Sequence, residues 1–177
     1  MSINCLRRDL NSAIKFNLGN CKAKTDWQFS RVCQYHADLK EKLISVQSAK
    51  KIVSRLDRMW KIKTTQLYPE IWTEDVCYGW PLSMRQAAIQ LPANMLRVSH
   101  LIHEHTHGVV EAYKTYFPEA KGLVEPGHGP LFCGVMAYNL SRIMSKKYLD
   151  IVEDLHYYSL RVLEIETVLK FKKIFRG

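Results

Sequence analysis

Leu101-Ile102-His103-Glu104-His105-Thr106-His107-Gly108 decides how the rest of the chain is read. Two histidines stand four apart, with a glutamate directly after the first. Residues four apart lie one above the other on a helix face, so His103 and His107 can grip one metal ion from a single turn. Glu104 falls about 100° around from His103, within reach of a water bound to that ion. The flanks supply the helix that this requires: Leu96 or Val98, Leu101, Ile102, Val109 and Val110 recur with the period of an amphipathic helix of about five turns.

H-E-x-x-H is the pattern of zinc-dependent hydrolases. The plainer alternative is a histidine-rich surface helix without a ligand, and the apolar periodicity argues against it. A catalytic zinc takes three protein ligands and leaves one position to water, so a third must be found. Glu111 shares roughly the face of His103, but eight residues place it about 12 Å along the axis, too far to converge on one ion. Downstream, Gly122-Leu123-Val124-Glu125-Pro126-Gly127-His128-Gly129-Pro130 holds a histidine between glycines, ahead of a proline suited to a helix's first turn. His128 is the expected third ligand, with Glu125 in reserve.

His103-Glu104-x-x-His107 followed by His128-Gly129-x-x-Phe132 resembles the SprT-like zincins and the small, mostly phage and bacterial, metallopeptidase-like proteins that share this pair of motifs. The resemblance spans about residues 45 to 145. It implies an α+β fold, a zincin-like core in which a small three-stranded sheet packs on the metal-binding helix, with helices before it. It further implies one zinc ion on His103, His107 and His128, Glu104 as general base, and a strand, Ala87, Ala88, Ile89, Gln90 and Leu91, whose edge pairs with an extended polypeptide substrate. No cysteine zinc ribbon follows the motif pair, so the DNA-processing role of SprT-like proteins is not carried over.

The chain of 177 residues, 47% hydrophobic and 24% charged, suits one domain with a sizeable core. The expected division is a helical extension over 1–44 and a metallopeptidase domain over 45–177. Its start has no long apolar run after Arg7-Arg8, which predicts neither a secretory signal nor a membrane anchor and an intracellular, cytoplasmic protein. The cysteines Cys5, Cys21, Cys33, Cys77 and Cys133 are an odd number, 5, with no C-x-x-C pair, and read as reduced thiols. Lys and Arg number 26 against 17 Asp and Glu, a net charge of +9. The excess clusters at Lys50, Lys51, Arg55, Arg58, Lys61 and Lys63 and again at Lys170, Lys172, Lys173 and Arg176. Such patches can meet nucleic acid, or they can be a solvated helix face and a basic tail.

Along the chain, Leu6, Leu10, Ile14 and Leu18 suggest a first helix ended by Gly19-Asn20. Asp26 can cap a second through Val32, Tyr35, His36, Leu39 and Leu43, and Ser45 a third through Ala49, Ile52, Val53, Leu56 and Trp60. Three short strands follow, over Lys61 to Leu67, Asp75 to Trp80 and Arg85 to Leu91. After the metal helix, Phe132, Val135, Met136, Leu140 and Ile143 mark a helix from Pro130, and another runs from Lys146 to about Tyr158. Leu160 to Val168 alternates enough to predict a strand. His36 reads as a packing residue and His105 as solvent-facing or as a support to the ligands. Tyr138, Tyr157, Tyr158 and His105 are the candidates for stabilising an oxyanion.

The chemistry implied is hydrolysis of a peptide bond by a zinc-bound water with Glu104 as base. The competing class is a binding module that keeps the same core without catalysis and acts through its basic surface or a strand edge.

Overall fold

The structure, a computed structural model, describes residues 25–68, 78–117 and 127–177. The series Leu6 to Leu18, the start of the second expected strand at Asp75, and the reserve ligand Glu125 lie outside these residues. The class is α+β, with six α-helices and one three-stranded sheet among the described residues. The chain divides into two compact units, Leu39–Tyr116 and Met1–Asp38 with Phe117–Gly177. No helix among the described residues is long and apolar enough to cross a membrane.

The unit Leu39–Tyr116 is built on two helices and the sheet. Helix α2 (Val46–Trp60) starts where expected: Ser45 is extended, and its hydroxyl accepts from the Ser48 amide at 3.2 Å, satisfying one of the donors a helix start leaves open. Lys61 ends it in the left-handed region at φ 52°, its amide donating to the Asp57 carbonyl. The buried stripe Ala49, Val53, Leu56 and Trp60 has helical spacing. Ala49 and Val53 pack with Ile89, Leu91, Leu96 and Leu101. Each large side chain so buried contributes about 1.5–3 kcal/mol.

Strands β1 (Thr64–Tyr68), β2 (Tyr78–Ser83) and β3 (Gln86–Gln90) lie in the order β1-β3-β2. β2 and β3 are antiparallel, joined at Met84-Arg85, while β1 runs parallel to β3. The third strand is therefore the central one, and this corrects the expectation that Ala87 to Leu91 offers an open edge: the main chain of β3 is paired on both sides. Its run Ala87-Ala88-Ile89 is buried throughout, as a strand covered on both faces should be. β2 is an outer strand, which is where Pro81 belongs, since a proline cannot donate to a ladder.

Helix α3 (Val98–Tyr116) carries the metal motif and packs on β2 and β3. Glycines permit its close approach. A Cβ at Gly79 would stand 1.8 Å from the Glu104 carbonyl oxygen, and one at Gly108 would stand 3.0 Å from the Ala87 Cβ. The start of α3 is held by a residue far off in sequence: a Glu41 carboxylate oxygen accepts from the Ser99 amide at 3.0 Å, and Arg97 Nε donates to the Glu41 carbonyl at 3.2 Å. An anion at a helix N-terminus is favourable, and this one also ties down the segment that leads into α2.

In the other unit, α1 (Thr25–Asp38), α4 (Pro130–Ile143), α5 (Tyr148–Tyr157) and α6 (Ile165–Arg176) are described. α1 stops before Leu39 and Leu43, which the sequence had placed on it; Leu43 is exposed. α4 is buried from Pro130 to Leu140. Gly134 lets it lie against Val168 and Leu163, and the Leu163 amide donates to the Pro130 carbonyl at 3.2 Å. The expected strand over Leu160 to Val168 does not form: Leu160 to Glu164 belong to no helix or strand, and Ile165 to Val168 open α6. The buried set Val168, Phe171, Ile174 and Phe175 has the three-and-four spacing of a helix, and it extends past the point where the alternation ended.

Candidate metal centre

One turn of α3 buries four consecutive polar side chains, His103, Glu104, His105 and Thr106. Burying a polar group without a partner costs several kcal/mol in an apolar medium, so each needs a reason to be there.

His103 and His107 point the same way, with their Nε2 atoms 3.1 Å apart and ring centroids 4.8 Å apart. Two imidazole nitrogens at about 2.0–2.1 Å from a tetrahedral zinc would be separated by about 3.3 Å, so the pair already has the spacing that the ion demands. His128, just ahead of α4, is buried and its ring meets Phe132 edge-on at 4.8 Å. Burial pulls its pKa down to about 4, which keeps the ring neutral and its lone pair free, the form in which histidine ligates. His103 and His107 thus offer two ligand atoms from one turn of α3, and His128 offers a neutral imidazole just ahead of α4.

Glu104 stands beside the pair without joining it: a carboxylate oxygen is 3.9 Å from His103 Nε2. Burial pushes its pKa up to about 8, and the Gly79 backbone N–H, bonded to the carboxylate, pulls the other way. The close approach of β2 at Gly79 is thus what lets a main-chain donor hold the glutamate. The sequence reading passed over Gly79, although a glycine inside a strand signals a close approach of backbone.

Of the two readings, the solvent-facing one fails for His105. It is completely buried rather than solvent-facing, and its Nε2 lies 3.0 Å from an Asp57 carboxylate oxygen on α2. Asp57 also accepts from the Thr65 amide at 3.0 Å and the Thr65 hydroxyl at 2.5 Å. The signal for Asp57 was an acid on the apolar face of a basic helix; nothing local named its partner. With Nε2 so engaged, His105 is no candidate for an oxyanion. Of the tyrosines, Tyr138 accepts from Lys172 Nζ at 2.7 Å, Tyr158 donates to Asp38, and Tyr157 is 83% exposed. His100 is half-buried, with Nδ1 3.1 Å from the Met95 carbonyl, and Glu111 pairs with Lys114 at 2.7 Å.

Comparisons of the chain with protein-family models, with curated proteins and with solved structures find no match.

Proposed function

We propose that this chain is a zinc-dependent metallopeptidase with a zincin-type core, in keeping with its resemblance to SprT-like proteins. The observation that carries this reading is the pair His103 and His107 on one turn of α3 together with Glu104, a carboxyl that adjoins His103 without belonging to the pair. A purely structural zinc would have no use for such a group.

A zinc ion at the three histidines supplies a Lewis acid and lowers the pKa of its bound water to about 7. His103 and His107 are oriented by one helix turn, and His128 is kept neutral by burial. The positive charge favours the ionised form of Glu104, the form that can accept the water's proton as a peptide carbonyl is attacked. The Gly79 N–H fixes where that carboxylate points. With β3 paired on both sides, its main chain is not open to an extended substrate.

The test is metal analysis with a diverse peptide-library assay, run beside Glu104→Gln and His128→Ala. Wild type should hold about one zinc per chain and cleave. Glu104→Gln should keep zinc and lose about 10²-fold or more in rate, as expected on removing a general base, and His128→Ala should lose zinc. Equal rates for wild type and Glu104→Gln, or no cleavage by zinc-loaded wild type, would sink the peptidase reading.

A second reading, a non-catalytic module that holds nucleic acid, has one observation in its favour. A cavity of about 290 Å³ between α2 and β1 is lined by Lys50, Lys63, Ser54 and Thr64 among others. Binding there should weaken steeply as salt rises, because phosphate contacts release counterions. Undetectable DNA and RNA binding at low salt would leave the charge as a matter of solubility.

A further inference from the structure

The Asp57–His105 pair lies in the same unit as the metal helix and touches none of the three histidines, yet it is placed where it governs them. At 100° per residue, His103 and His107 are 40° apart around α3, and the direction midway between them is 180° from His105. The bond to Asp57 therefore pulls on the metal-bearing turn from the point diametrically opposite its ligands.

Asp57 is a fixed post. Its carbonyl caps the end of α2 by accepting from Lys61 and Ile62, and its carboxylate takes three donors, the Thr65 amide, the Thr65 hydroxyl and His105. A carboxylate can serve three donors and an amide cannot, since its nitrogen would face a donor. It follows that His105 donates from Nε2. Its Nδ1 is buried without a hydrogen-bond partner, so Asp57 is the ring's whole polar attachment. Side chains reach about 6 Å from a helix axis, so a 10° rotation of α3 would carry a ligand nitrogen by about 1 Å. Metal sites hold their distances to about 0.2 Å.

We propose that Asp57, acting through His105, is a positioning residue for the metal-binding face of α3: it sets the rotation at which His103 and His107 present their nitrogens. This rests on the metal reading given above. The alternative is a staple that merely joins α2, β1 and α3, and the two differ in what they move.

The experiment compares Asp57→Asn, His105→Gln and Thr65→Val. Zinc affinity is measured by competition with a chelator, the visible spectrum is recorded with cobalt(II), and thermal stability is measured without metal. Thr65→Val removes one bond to Asp57 and leaves the amide bond, so it should lower the melting temperature while leaving zinc affinity within about twofold. Asp57→Asn and His105→Gln should weaken zinc about 10-fold or more, in the range seen when groups that orient metal ligands are removed, and should alter the cobalt spectrum. The double variant should lose no more than the worse single one. Affinity losses that merely follow melting temperature across all three variants, or a wild-type cobalt spectrum in Asp57→Asn, would overturn the proposal. Should Asp57→Asn fail to fold, His105→Gln against Thr65→Val makes the same comparison. Wild type without affinity for zinc or cobalt would overturn the metal reading itself.

Discussion

Helices α3 and α4, one in each unit, are both buried, and they are buried for opposite reasons. From Leu131 to Leu140, α4 hides a mainly apolar set whose burial stabilises the fold without regard to partner. From His103 to Thr106, α3 hides groups that water would hold better, and most of these are met by something specific: Asp57 for His105, the Gly79 N–H for Glu104, the Ile102 carbonyl for the Thr106 hydroxyl. Apolar burial alone says that a helix is core. Polar burial with partners drawn from α2 and β2 says that the fold has been arranged around that turn.

The largest effect should come from breaking the apolar side. Phe171→Ala on α6 removes a fully buried ring and should cost about 3–5 kcal/mol, read as a fall in the urea midpoint at unchanged slope. Zinc content of the protein that remains folded should be unchanged. Loss of zinc in step with stability would erase the contrast.

Acidity sharpens the comparison at smaller cost. In the metal-free protein the Glu104 pKa is raised from 4.5 to about 8, so its contribution is full below 4.5 and is lost as pH rises through about 8. The His128 pKa is lowered from 6.5 to about 4, so its contribution is full above 6.5 and is lost as pH falls through about 4. Between 4.5 and 6.5 the two slopes oppose each other, leaving a plateau with a falling limb on either side. On the alkaline limb, from 6.5 to 8, Glu104 acts without His128 opposing it and should remove about 2 kcal/mol, at about 1.36 kcal/mol per pH unit. Glu104→Gln should abolish that limb and, with nothing to oppose His128, extend the acid limb up to about 6.5. Melting curves of chelator-treated protein across this range will show it, and an unchanged alkaline limb in the variant would count against the assignment.

The smallest effect concerns a group shared with neither helix. Ser45→Ala removes the hydroxyl that caps α2 and should cost about 1 kcal/mol. Because α2 carries Asp57 about three turns away from the cap, the metal affinity measured by chelator competition should stay as it is.

What could be read from the sequence was what repeats locally. His103, Glu104 and His107 announced themselves by spacing, Ser45 by its place before an apolar period, and His128 by its glycines and Pro130. Strand order could not be read this way, since β3 takes its second partner from β1, with Thr64 opposite Gln86, and no local pattern records which strand ends in the middle. Leu160 to Val168 fitted two periods over nine residues; only Phe171, Ile174 and Phe175 decide between them. For His105 the sequence left two readings open, solvent-facing or supporting the ligands, because its partner stands 48 positions earlier, and a helical wheel shows where a side chain points without showing what waits there.

The two outer strands also bear on how copies of this chain behave toward one another. The Thr65 amide of β1 is engaged by the Asp57 side chain, so a hydrogen-bonding group that another molecule's strand would need is already taken. On β2, Pro81 offers no N–H at all. Exposed strand edges are the places where sheets of separate molecules join and aggregate, and here each edge carries its own block. The sheet stops at three strands by construction, and a crowded solution of this protein should resist growing it into a fourth.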